Sequence, residues 1–114
     1  MKAVVIEDEI LIRAGLCKLM KKMFPEIEVT GTAGNGQEGL LCIERDKPDM
    51  IITDIRMPVM DGLEMITKMQ ESGIFPKIIV LTAYSEFSYA QQAVKLGVSD
   101  YIIKQRNRTL DSRT

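Results

Sequence analysis

The stretch Met50–Gly62, with the sequence MIITDIRMPVMDG, decides the fold of this 114-residue chain. It opens with a short apolar run that contains β-branched isoleucines, which favours a buried strand over a helix of that length. The run ends on Asp54, and the loop-forming Pro58 and Gly62 follow, so Asp54 lies where a strand gives way to a turn. In α/β folds the functional residues lie at the carboxyl ends of the strands. Asp54 is therefore a candidate functional residue, although an acid that only solvates a strand end would suit the same position.

Four further stretches have the composition of strands, and helical patterns separate all of them. The strand-like stretches are Lys2–Ile6, Glu28–Ala33, Lys77–Leu81 and Asp100–Ile103. The helical patterns run from Ile10 to Met23, from the cap residue Asn35 to about Arg45, from the cap residue Asp61 to Gly73, and from Ser85 to Leu96. Strands that alternate with helices predict a parallel sheet with right-handed crossovers. The predicted fold class is α/β, with a doubly wound five-stranded sheet.

Composition excludes several classes of protein. With 46% hydrophobic and 27% charged residues and a net charge of −1, the chain is typical of one globular domain and lacks a basic surface for nucleic acid. No apolar run reaches membrane-spanning length, so a cytoplasmic location is predicted. The sequence contains no histidine, which excludes Ser-His-Asp catalysis and histidine metal sites. Cys17 and Cys42 lie in helical patterns and are predicted to be buried free thiols.

Polar side chains follow four of the predicted strands. They are Glu7 and Asp8, Asp54, Thr82, and Lys104. Because the carboxyl ends of parallel strands meet at one edge of the sheet, these side chains are expected to form one site. Neighbouring carboxylates repel one another unless a cation lies among them, and oxygen ligands without histidine favour Mg²⁺. A carboxylate nucleophile, a divalent metal and a lysine together predict phosphoryl transfer.

The sequence resembles the receiver domain of bacterial response regulators, throughout residues 1–104 and in order. The matching motifs are VVIEDE, IITDIRMPVMDG, IIVLTAYSE and VSDYIIK. The resemblance implies a flavodoxin-like fold with strand order 2-1-3-4-5, the first helix on one face and three helices on the other. It also implies a phosphorylation-controlled switch that catalyses only its own phosphorylation and dephosphorylation.

The resemblance assigns a role to each candidate residue. Asp54 would accept a phosphoryl group from the phosphohistidine of a sensor histidine kinase. Mg²⁺ would be held by Glu7, Asp8, Asp54 and the backbone carbonyl of Arg56. Lys104 would pair with the phosphate, and the switch pair would be Thr82 and Tyr101.

The resemblance also implies partners and leaves alternatives open. The stretch YSEFSYAQQAVKLGVSDYIIK resembles regulators with an AraC-type output, so DNA would be contacted only through an output domain absent from this chain. A homodimer is possible. The alternative function is a pseudo-receiver, which binds other proteins without phosphorylation. An aspartate-nucleophile phosphatase would need a second acid two residues after Asp54, where Arg56 stands.

The chain departs from the family after Lys104. A proline usually follows that lysine, but here Gln105 does, and a cis bond before a non-proline residue costs about 3 kcal/mol, so a trans bond is predicted. In the polar tail, residues 105–114, Leu110 is the only apolar residue, so the tail is predicted to be truncated or disordered and the fifth helix to be missing. An apolar groove beside the first helix should then be open. Arg56 and Tyr84 are hypothesised to screen the acyl phosphate from water.

Overall fold

The computed structural model describes residues 1–83 and 87–104 of the chain. The elements, in chain order, are β1 (Lys2–Ile6), α1 (Ile10–Met23), β2 (Glu28–Ala33), α2 (Gly36–Asp46), β3 (Met50–Thr53), α3 (Gly62–Glu71), β4 (Lys77–Thr82), α4 (Phe87–Lys95) and β5 (Asp100–Ile103). The predicted order of strands and helices is therefore confirmed, and the element boundaries that fall on described residues differ from the predicted ones by a residue or two.

The five strands form one parallel sheet in the order β2-β1-β3-β4-β5, as predicted. The register aligns the ends of the inner strands, because Ile6 lies opposite Thr53 and Thr53 lies opposite Val80. The residues that follow β1 and β3 consequently emerge side by side. This alignment positions Glu7 next to Asp54, although they are far apart in the sequence.

The sheet is covered on both faces, which explains why its central strands are apolar runs and do not alternate. One buried cluster joins the sheet to α2, α3 and α4, through Ile43, Met65, Ile66, Met69 and Ala93. The other cluster joins it to α1, through Met20. The prediction of one helix on one face and three on the other is confirmed.

Two helices begin at the predicted cap residues. The Asn35 side chain accepts a hydrogen bond from the backbone N–H of Glu38 (2.9 Å), and the Asp61 side chain accepts one from the N–H of Glu64 (2.8 Å). Each bond satisfies a donor that the first turn of a helix would otherwise leave unpaired. These caps fix where α2 and α3 begin.

The structure corrects one prediction and does not reach several others. Cys17 and Cys42 are free thiols, but they are only half-buried, because each packs against the margin of a core cluster and not within it. Several predictions lie outside the described residues. They concern Tyr84 and Ser85, the bond between Lys104 and Gln105, and the tail 105–114 with its missing fifth helix.

An apolar groove of about 310 Å³ lies beside α1, where the sequence predicts one. It is lined by Met1, Met20, Phe24, Ile27, Met50, Ile52, Lys77 and Ile79. Within residues 1–83 and 87–104, no helix is both long and apolar enough to cross a membrane.

Candidate functional site

Glu7 lies directly after β1 and is almost fully buried, with 1% of its side chain exposed. Its backbone N–H continues the sheet ladder by donating to the carbonyl of Ala33 (2.9 Å). Its carboxylate accepts hydrogen bonds from the N–H of Glu9 (3.1 Å) and from Lys104 Nζ (2.9 Å). Burial raises the pKa of Glu7, and the two hydrogen bonds, which lower it, offset this effect only in part. Two donors therefore hold the orientation of this buried carboxylate.

Asp54 lies directly after β3, in the next strand of the sheet, and is 5% exposed. Its N–H donates to the carbonyl of Ile6 (3.0 Å), so the residue continues the ladder between β3 and β1. Its Oδ1 accepts from the N–H of Ile55 (2.7 Å), and its Oδ2 accepts from Lys104 (3.2 Å). One carboxylate oxygen thus faces the backbone, and the other faces the lysine.

Lys104 follows β5 at the far edge of the sheet and reaches across to both acids. Its backbone N–H donates to the carbonyl of Thr82 (2.6 Å), which extends the β4–β5 pairing by one step. Burial disfavours the charged ammonium, but the hydrogen bond to Glu7 and the attraction of Asp54 outweigh burial, and the pKa of Lys104 is raised. The lysine is therefore a fixed positive charge between two carboxylates.

Asp8 is exposed and completes a cluster of three acids. Glu7, Asp8 and Asp54 each offer one carboxylate oxygen, and these oxygens lie within 4.8 Å of one another. A compact set of oxygen ligands fits a small hard cation such as Mg²⁺, which keeps several of its waters. The residues present therefore fit the predicted metal.

Arg56 stands at the rim of the site. Its side chain is exposed, and it lines an open recess of about 270 Å³ together with Asp8, Met57 and Pro58. Arg56, whose backbone carbonyl is a predicted metal ligand, therefore lines the same recess as Asp8.

The turn that the sequence predicts after Asp54 contains one backbone conformation that the sequence did not predict. Val59 has a positive φ of 70°, which is uncommon for a β-branched residue. The N–H of Met60 donates to the carbonyl of Pro58 (2.7 Å), and the carbonyl of Met60 accepts from the N–H of Gly36 (2.8 Å). The start of α2 thereby holds the turn against the site.

Gly62 fastens the other end of this loop. Its N–H donates to the carbonyl of Ile55 (2.7 Å), and a Cβ added at this position would overlap the carbonyl oxygen of Asp54. Sequence reasoning treated Gly62 as loop punctuation, but its role is to let α3 begin directly against the backbone of Asp54.

The proposed switch residues lie on the two strands nearest Lys104. Thr82 is the last residue of β4 and is fully buried. Tyr101 lies opposite Val80 on β5, is half-buried, and packs against the core cluster that also holds α4. Both residues therefore lie on the side of the sheet formed by β4 and β5, which also carries Lys104.

Two residues near the site were missed by sequence reasoning. Arg13 lies on α1, and its guanidinium donates to the backbone carbonyl of Glu7 (2.9 Å). Thr53 was counted only as part of a strand, yet its hydroxyl donates to the backbone carbonyl of Asp54 (2.8 Å). A threonine at the end of an apolar run was the only sequence signal for the second contact.

Comparison with known proteins agrees with this geometry. A family model described as the response regulator receiver domain matches residues 3–112. An uncharacterized response regulatory protein of Vibrio cholerae is 39% identical over 102 residues, which cover 90% of this chain and 38% of that protein. The transcriptional regulatory protein PdtaR of Mycobacterium tuberculosis is 35% identical over 103 residues, which cover 90% of this chain and 49% of that protein. The chain therefore spans less than half the length of either curated relative.

A solved structure extends the similarity to three dimensions. It is the receiver (REC) domain of AraT, a response regulator from Geobacillus stearothermophilus. The two chains are 35% identical and superpose with a TM-score of 0.81, over 98% of this chain and 90% of that one. Sequence and fold are thus similar over nearly the whole length of both.

Proposed function

Because the chain belongs to the receiver domains of response regulators, we propose that Asp54 accepts a phosphoryl group from the phosphohistidine of a histidine kinase. The observation that supports this best is the position of Lys104, whose ammonium lies 3.2 Å from Asp54 Oδ2 and 2.9 Å from Glu7 Oε1. A buried lysine between two carboxylates suits a site that must later hold an anion.

In the proposed reaction, a carboxylate oxygen of Asp54 attacks the phosphorus atom. An O–P bond forms, the P–N bond to the donor histidine breaks, and its electron pair stays on the histidine nitrogen. The product is an acyl phosphate on Asp54. These 114 residues contain no histidine, so the donor histidine would lie outside them.

The acidic cluster would hold Mg²⁺ through Glu7, Asp8, Asp54 and the carbonyl of Arg56. When bound, this ion would offset the repulsion between the carboxylates and the incoming phosphoryl oxygens. Lys104 would exchange its contact with the Asp54 carboxylate for one with a phosphoryl oxygen. Thr82, buried at the end of β4, would donate its hydroxyl to another.

Phosphorylation would then shift a two-state equilibrium. If the Thr82 hydroxyl turns toward the phosphoryl group, the packing near β4, β5 and α4 changes, and Tyr101 moves further inward. We propose that the changed surface controls transcription, which is the kind of output that the name of the relative PdtaR indicates, and that a separate DNA-binding domain carries this output. Pairing of two copies of the chain into a homodimer would be one way for the changed surface to act on such a domain.

The experiment is an intact-mass measurement after incubation with acetyl phosphate and Mg²⁺. The parent should gain one phosphoryl group, and Asp54→Asn should gain none. Asp61→Asn is the matched control, because asparagine also caps a helix, and it should be phosphorylated like the parent. A folded parent that binds Mg²⁺ but gains no mass would be a pseudo-receiver, and the proposal would be wrong.

A further inference from the structure

We propose that Thr53 is a positioning residue for the phosphoacceptor, acting through its hydroxyl on the peptide group that follows Asp54. Thr53 is the last residue of β3, and it is 1% exposed. This inference deepens the function proposed above and concerns the same site.

The Thr53 hydroxyl satisfies a buried carbonyl. Its Oγ1 donates to the carbonyl oxygen of Asp54 at 2.8 Å. In the part of the chain that the structure describes, this is the only hydrogen bond given to that oxygen. Gly62 lies so close that a Cβ there would overlap the same oxygen, and Asp54 is only 5% exposed, so the carbonyl lies in a buried and closely packed place. An unpaired carbonyl at this place would be unfavourable.

The same peptide group holds the carboxylate. A peptide unit is planar, so the carbonyl of Asp54 and the N–H of Ile55 turn together. That N–H donates to Asp54 Oδ1 at 2.7 Å. By fixing the carbonyl, the Thr53 hydroxyl therefore fixes the direction of the N–H, and with it the carboxylate.

The two carboxylate oxygens of Asp54 therefore have different partners. Oδ1 is held by the backbone, whereas Oδ2 faces Lys104 Nζ at 3.2 Å. Without the Thr53 hydroxyl the peptide plane could rotate, and the carboxylate would lose its fixed orientation toward the lysine. Small displacements of a reacting group lower rates strongly.

The test compares two single substitutions at Thr53. Thr53→Val keeps the shape and removes the donor, whereas Thr53→Ser keeps the donor and removes a methyl group. Thr67→Val is the matched control, because the Thr67 hydroxyl also donates to a backbone carbonyl, that of Leu63 at 2.9 Å, but within α3. Phosphorylation by acetyl phosphate is timed at saturating Mg²⁺, and hydrogen exchange of the Ile55 amide is followed by NMR.

We expect Thr53→Val to be phosphorylated about tenfold more slowly and its Ile55 amide to exchange about tenfold faster. Thr53→Ser and Thr67→Val should stay within about twofold of the parent. A folded Thr53→Val protein with the parent rate overturns the proposal. If that variant does not fold, a tenfold slower Thr53→Ser protein overturns it. If the parent itself takes no phosphoryl group, the proposed function fails, and Ile55 exchange alone decides the role of Thr53.

Discussion

The Lys104 ammonium lies 2.9 Å from Oε1 of Glu7, a residue 97 positions earlier in the chain. The side chain of Glu7 is 1% exposed and that of Lys104 is 15% exposed, so the ion pair is largely shielded from water. Because β3 and β4 lie between β1 and β5 in the sheet, this contact crosses the ends of both strands and joins the two sides of the site.

Removing the lysine should destabilise the metal-free protein. Lys104→Met leaves two buried carboxylates without their cation, and breaking a buried pair in this way costs about 3 kcal/mol of unfolding free energy. Urea denaturation without metal measures this loss. Lys18→Met, at an exposed position of α1, should change the same free energy by less than about 0.5 kcal/mol.

Added Mg²⁺ should stabilise the Lys104→Met variant more than the parent. In the variant no ammonium competes for the oxygens of Glu7 and Asp54, so the metal-bound form gains more relative to the unfolded chain. The measurement is the shift in melting temperature on adding excess Mg²⁺. Equal shifts in both proteins would show that Lys104 and the metal do not share these oxygens.

Gly62→Ala should damage both stability and phosphorylation. The added methyl group overlaps the carbonyl of Asp54, and accommodating it costs about 2 kcal/mol or more. Gly15→Ala, in α1, meets no atom within 4 Å and should gain about 0.5–1 kcal/mol. Denaturation curves for both variants, with the phosphorylation rate of the first, test this contrast. If both variants are equally stable, the contact between Gly62 and Asp54 is not tight.

Val59→Asn should stabilise the fold. A β-branched residue is strained at the positive φ of 70°, whereas asparagine adopts this conformation more readily, so we expect a gain of about 1 kcal/mol. Val94→Asn is the control, because Val94 is 73% exposed against 75% for Val59, but it lies in α4, where valine and asparagine have similar helix propensities. Thermal unfolding of the two variants should separate them, and equal stabilities would argue against strain at Val59.

Asp46 should make stability depend on acid pH. Its hydrogen bonds from Arg45 (2.6 Å) and Thr30 (2.9 Å) lower the pKa of Asp46 from 3.8 to about 2. Because the folded-state pKa is lowered, the contribution is fully present above pH 3.8 and is lost as the pH falls through 2. In Asp46→Asn the melting temperature should vary less with pH over this interval. Parallel melting profiles for parent and variant would rule out this contribution.

The sequence alone determined the order of the elements and the edge of the sheet at which function is concentrated. Apolar runs, helical periodicity and cap residues such as Asn35 and Asp61 depend on neighbours a few positions away, so they can be read from a linear chain. The acids after β1 and β3 and the lysine after β5 could be assigned to one edge because parallel strands share their direction. Their grouping in the structure follows from that rule.

Only the tertiary structure decided how these groups are held. The contact of the Arg13 guanidinium with Glu7, the fit of Gly62 against Asp54 and the positive φ of Val59 depend on segments from different parts of the chain meeting at short distances. The proposed role of the Thr53 hydroxyl likewise depends on the start of α3, where Gly62 packs closely against the carbonyl of Asp54. Periodicity carries no information about such contacts, since packing between distant segments fixes them.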